Sequence, residues 1–114
     1  MWQRMLQGGS GGGEIKSASG TVSGLYMNTL VSVDCGFKPT SIVVYADTFA
    51  DVTELTAEYF ENAKTIEKTT YKYSGTVYHN QGIKLTPTEN GFTIKQSFTG
   101  TSGSETLNYI AMKE

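Results

Sequence analysis

Ile83-Lys84-Leu85-Thr86-Pro87-Thr88-Glu89-Asn90-Gly91-Phe92-Thr93-Ile94-Lys95-Gln96 is the stretch of this 114-residue chain that decides its fold. On either side of Asn90-Gly91, apolar and polar residues alternate with period two, so each flank reads as a strand with one face turned to a core. Asn-Gly is a strong type I′ signal, because both central residues of that turn need positive φ. The stretch therefore predicts a β-hairpin, and with it a β protein.

Working outward, Gly100-Thr101-Ser102-Gly103-Ser104 reads as a turn before a last strand at 106–112. That strand places Leu107, Tyr109 and Ala111 on one face and Asn108, Ile110 and Met112 on the other. Neither face is fully polar, so it is expected to close a sheet. Upstream, residues 14–22 and 30–33 read as strands, and Gly36-Phe37-Lys38-Pro39-Thr40 as a bend. The apolar run at 42–46 reads as a central strand covered on both faces. The stretch 51–63 is ambiguous. Val52, Leu55, Tyr59 and Ala63 share a helical face and Asp51 with Glu54 has capping-box spacing, yet Leu55, Ala57 and Tyr59 also alternate. The Thr- and Tyr-rich segment 65–73 that follows favours two strands turning at Glu61-Asn62-Ala63, with a short helix as the alternative. Glycine or Asn/Asp turn residues recur about every ten residues, the spacing of a sandwich or barrel. The expected fold is mainly β, an antiparallel β-sandwich of jelly-roll-like kind, with one short helix near residues 51–63 if that alternative holds.

Three segments are expected: an N-terminal anchor peptide at 1–7, a glycine-rich linker at 8–13 and the β-sandwich domain at 14–114. Residues 1–7 carry the chain's tryptophan on a segment too short to be a stable helix alone, so Trp2, Met5 and Leu6 are candidates for burial in a partner surface. The bland alternatives are that they fold back onto the domain or that the glycines are an expression scar. Gly8-Gly9-Ser10-Gly11-Gly12-Gly13 is a flexible tether by composition; no Gly-Lys-Ser/Thr follows it and no strand precedes it, so it does not read as a phosphate cradle.

Length allows one domain burying about two-thirds of its unfolded surface. Nine basic against eleven acidic residues give a net charge of -2 with no run of either sign, so neither nucleic acid nor membrane is an expected partner. No apolar stretch reaches the roughly 20 residues of a spanning helix, and residues 1–6 lack a signal-peptide apolar region, so the protein is expected to fold where it is made. Cys35 is the single cysteine and His79 the single histidine, which leaves no intrachain disulfide and no thiol and imidazole set for a structural zinc ion.

No catalytic residues are assigned. A triad would have to rely on His79, which sits in the loop-like Tyr78-His79-Asn80-Gln81-Gly82 without a nucleophile elbow. Asp47, Asp51, Glu54, Glu58 and Glu61 crowd one segment, but their spacing matches neither a glycosidase pair nor a calcium loop, and surface carboxylates are the simpler reading. No cofactor and no metal are expected. Seven tyrosines exceed what a core of this size needs. Tyr71 and Tyr73 share a strand face, and with Tyr78 they are the candidates for stacking on a glycan, amphipathic packing at the core rim being the alternative. Of the basic residues only Lys64, Lys68 and Lys72 lie among these rings, with Glu67 between them, which does not suit single-stranded nucleic acid.

Taken in order, Gly36-Phe37-Lys38-Pro39 leading into residues 41–46, the strand at 82–86, Asn90-Gly91-Phe92 and Asn108-Tyr109-Ile110-Ala111 resemble a module that recurs in phage tail, fibre and baseplate-associated proteins. The resemblance spans about residues 16–113; each motif alone serves many β proteins and their order carries the weight. It implies a β-sandwich repeated in symmetric virion parts, a structural or host-surface-binding role, and no catalytic residues to carry over. Such modules are usually fused to long fibre proteins. Here the module stands behind a heptapeptide and a tether, which favours a small tail, fibre or capsid-decoration accessory protein hooked to the particle by Trp2, Met5 and Leu6. Expected partners are other virion proteins, further copies of the chain as a homo-oligomer, and a host cell-surface glycan. The expected location is the virion, assembled in the bacterial host cytoplasm. A carbohydrate-binding module is the alternative reading.

Overall fold

The structure, a computed structural model, describes residues 15–61, 66–98 and 105–114. These form nine strands and no helix: β1 Lys16–Val22, β2 Leu30–Asp34, β3 Ser41–Phe49, β4 Val52–Phe60, β5 Ile66–Tyr73, β6 Thr76–His79, β7 Ile83–Thr88, β8 Gly91–Gln96 and β9 Leu107–Lys113. They build two antiparallel sheets, one of six strands in the order β1-β9-β3-β4-β5-β6 and one of three in the order β2-β8-β7. The fold is the mainly β sandwich that the alternation predicts. Its jelly-roll character lies at the two ends of the chain, where β1 pairs with β9 and β2 with β8. Between them β3 to β6 run as an up-and-down meander.

The core lies between the sheets. Ile42, Val44, Leu55, Ala57, Leu107 and Ala111 of the large sheet meet Leu85, Phe92 and Ile94 of the small one, with Leu25, Phe37 and Phe49 added from loops and a strand end. The run at 42–46 belongs to an interior strand, flanked by β9 and β4. β9, expected to close a sheet, is interior too and joins β1 to the rest of the six-stranded sheet. The bend before β3 works as a plug: Gly36 takes φ 86, and the Phe37 and Pro39 side chains are buried.

Segment 52–60 is a strand, and the helix alternative is excluded. The helix-like spacing has a specific cause. A β-bulge between Thr53 and Thr56, with Glu54 at φ 52, adds one residue and turns both Val52 and Leu55 inward although they stand three apart. From Leu55 onward the period is two, and Leu55, Ala57 and Tyr59 are all buried. β4 and β5 form the expected hairpin, Phe60 pairing with Ile66; the turn expected at 61–63 lies largely outside the described residues.

The β7–β8 hairpin is present, but its turn differs from the expectation. Thr88 pairs with Gly91, so the two turn residues are Glu89 and Asn90, and neither has the positive φ of a type I′ turn. Gly91 is needed for a different reason. A Cβ at this position would collide with the carbonyl oxygen of Val33, because β2 approaches the hairpin closely there. The Asn90 carbonyl accepts hydrogen bonds from the N–H groups of Cys35 and Gly36, each at 2.9 Å, which fastens the end of β2 to the turn. The type I′ geometry occurs instead at Ser74-Gly75, φ 52 and 82, between β5 and β6.

Gly91→Ala is therefore expected to cost about 2–3 kcal/mol of stability by overpacking, and Asn90→Ala less than about 1 kcal/mol, because the carbonyl it contributes is backbone. Urea unfolding of both variants checks this; equal losses would place the hairpin's dependence in the turn and not in the close approach of β2.

Candidate functional site

The type I′ turn at Ser74-Gly75 fixes the register of the β5–β6 hairpin, and with it the position of three rings. Tyr71 stands opposite Tyr78, and Tyr73 lies two residues further along the same face of β5. Tyr71 and Tyr78 are stacked, with ring centroids 5.4 Å apart and planes at 17°; Tyr73 tilts against Tyr78 at 6.4 Å. Exposure rises outward along this ladder, from 8% at Tyr71 to 47% at Tyr73. Phe98, just beyond β8, closes the inner end: it meets Tyr71 edge-on at 4.7 Å and Phe49 at 6.1 Å.

Tyr71, Tyr73, Tyr78 and Phe98 line a cleft of about 180 Å³ to which Asp51, Val52 and Ser97 also contribute. The three tyrosines singled out by composition and alternation are thus brought together at one concave surface. Among the described residues their hydroxyls make no hydrogen bond. Asp51 arrives from the β3–β4 hairpin, whose closing pair Phe49–Val52 is buried and whose first turn residue, Ala50, holds φ 54. A non-glycine residue in that region is strained, and the flanking pair keeps it there.

Phe98 and Asp51 were not foreseen at this site. Phe98 is positioned by Gln96, whose side-chain oxygen accepts the Phe98 N–H at 2.7 Å, and by Gly82, where a Cβ would overlap the Phe98 ring. No sequence pattern signals either contact. The other carboxylates considered with Asp51 disperse. Asp47 is exposed on β3, Glu54 pairs with Lys72 at 3.0 Å, Glu58 faces Lys68 across the outer side of the sheet, and Glu61 accepts the Tyr59 O–H at 3.3 Å. His79 is exposed, with Nδ1 at 3.5 Å from the Thr70 hydroxyl. The Cys35 thiol donates to the Phe37 carbonyl at 3.4 Å, and its pKa is raised chiefly by burial, then by the charge of Asp34. Among the described residues no three His, Cys, Asp or Glu side chains are grouped to hold a metal ion, and no helix is long and apolar enough to cross a membrane. Trp2, Met5 and Leu6 lie outside the described residues.

Burial raises the pKa of Tyr71, the neighbouring Tyr78 adding to it; burial also raises that of Tyr59, with Glu61 and Glu67 adding to it. Both hydroxyls thus stay protonated above the ordinary tyrosine value of 10.0. Above that value the unfolded chain releases protons that the folded protein retains, so stability falls as pH rises from there through the folded pKa values, and these two groups contribute no dependence below it. Unfolding titrations at increasing alkaline pH are expected to show this decline, and Tyr71→Phe to flatten it; an unchanged slope in the variant would remove Tyr71 as a cause. Comparison with family models, with curated protein sequences and with solved structures finds no match for this chain.

Proposed function

We propose that the chain is a structural accessory protein of a phage virion, a tail, fibre or capsid-decoration part that docks through residues 1–7 and displays its β-sandwich. The ordered motifs of the resemblance support this reading, since each falls where the fold needs it: the plug before β3, β7, the β7–β8 hairpin and the interior strand β9. The single observation that carries it is an exposed apolar cluster on and before β2. Tyr26, Met27 and Leu30 are 52%, 45% and 61% exposed within five residues, beside an edge strand of the small sheet. Three large apolar side chains so close together at a sheet edge fit a surface covered by other virion proteins or by further copies of the chain.

Purified particles from the producing organism are expected to contain this chain at a fixed ratio to the major capsid or tail proteins. Deleting residues 1–7 is expected to abolish incorporation without changing the melting temperature of the domain, and Leu30→Asp to reduce it. Absence of the chain from intact particles would overturn the proposal.

A second reading, a carbohydrate-binding module, is favoured by the tyrosine cleft. Rings graded from buried to exposed, with free phenol groups, suit a sugar that stacks one face and bonds through its hydroxyls. The two readings are compatible, because tethered copies on a symmetric particle gain avidity for a weakly held surface glycan. A glycan array with no signal above background removes the second reading and leaves the first untouched.

A further inference from the structure

Resting on the glycan reading, we infer that the cleft selects sugars bearing a free amino group: the ring lies against Tyr73 and Tyr78, and the ammonium meets the carboxylate of Asp51. Among the described residues the cleft is built from Asp51, Tyr71, Tyr73, Tyr78 and Phe98 with Val52 and Ser97, with no Lys, Arg or His in its lining. Asp51 is exposed, and among the described residues it has neither an ion pair nor a hydrogen-bond partner. The cations that neutralise other carboxylates of the domain are engaged elsewhere, Lys72 with Glu54 at 3.0 Å and Lys84 with Glu67 at 2.8 Å.

An unpaired carboxylate beside aromatic faces sets the sign of the ligand. The faces of tyrosine and phenylalanine rings carry the negative side of their quadrupole, so rings and carboxylate both favour a cation and both disfavour an anion. A quaternary ammonium ion alone would satisfy the charge. The cleft runs from buried Tyr71 to exposed Tyr73, however, and the phenol groups, without a hydrogen bond among the described residues, give partners that a methylated cation cannot use. An amino sugar uses all three features: a C–H face for Tyr73 and Tyr78, hydroxyls for the phenols, and an ammonium for Asp51. Uronic acids, sialic acids and phosphate-bearing glycans would place a second negative charge beside Asp51, with no cation among the described lining residues to compensate it. The position of Asp51 is fixed, since its turn is clamped between the buried Phe49 and Val52 and Ala50 is held at φ 54.

Calorimetric titration of the full chain with the β-1,4-linked tetramers of glucosamine, of N-acetylglucosamine and of glucuronic acid tests this. The glucosamine tetramer is expected to bind about tenfold more tightly than the N-acetylated one, the range of one charge-assisted hydrogen bond, and the acidic tetramer not at all. Asp51→Asn should erase the preference and leave N-acetylglucosamine binding unchanged, whereas Tyr73→Ala should weaken both. Raising the salt to about 1 M, where screening acts within about 3 Å, should narrow the preference in the unaltered protein, a readout that does not depend on how the variants fold. Equal binding of the glucosamine and N-acetylglucosamine tetramers would overturn the charge selection while leaving the glycan reading in place. No binding of any tetramer would overturn both, and binding of choline in a parallel titration would then assign the cleft to small cations.

Discussion

The side chain of Gln96 is the contact on which the sandwich and its cleft both depend. It is fully buried in a largely apolar interior, where an unpaired amide would be costly. Both ends are used: its NH₂ group donates to the Leu25 carbonyl at 2.6 Å and its oxygen accepts the Phe98 N–H at 2.7 Å. Around it the backbone repeats the connection, Asn28 N–H donating to the Gln96 carbonyl at 2.6 Å and Ser97 N–H to that of Gly82 at 2.9 Å. Gln96 thereby ties the β1–β2 crossover to the end of β8 and aims Phe98 at Tyr71, and its neighbour Ser97 adds the β6–β7 connection. An apolar residue of similar volume would keep the packing and lose the geometry, because hydrogen bonds specify direction where hydrophobic contact does not.

From that point the aromatic ladder carries two roles in sequence. Tyr71 belongs to the core, Tyr78 to its rim and Tyr73 to the surface, so the same strand face that seals the sandwich is continued into a surface able to meet a ligand. The inner rings cannot reorient without opening the core, and the outermost is therefore presented on a rigid base. Rigid presentation lowers the ordering cost of binding, which matters most for ligands that give little energy per contact.

How much of this is legible in the sequence follows from the range of each interaction. Composition and alternation are local, and they place strands at 14–22, 30–33, 83–86 and 92–96, each within about two residues of β1, β2, β7 and β8, together with the interior run at 42–46 and the shared face of Tyr71 and Tyr73. A bulge is nearly invisible, since one inserted residue turns period two into a helix-like spacing at Val52 and Leu55. Asn90-Gly91 locates a hairpin correctly for a reason that is half wrong: the glycine answers to the carbonyl of Val33, a residue distant in sequence, and the actual type I′ pair is the less conspicuous Ser74-Gly75. Strand order, the interior place of β9, and the arrival of Asp51 and Phe98 at the tyrosines all arise from contacts between remote segments, which no local pattern encodes.

The nesting of β1 on β9 and β2 on β8 also dictates an order of assembly. The β3–β6 meander and the β7–β8 hairpin join neighbours in the chain and can form quickly, whereas Val22 meets Leu107 only after nearly the whole described chain has been made. Until β9 arrives, β3 has a bare hydrogen-bonding flank, and on the ribosome this flank emerges long before its partner. Folding speed in this protein is accordingly governed by closure of the ends, and the interval before closure is when β3 is open to pairing with a strand of another molecule.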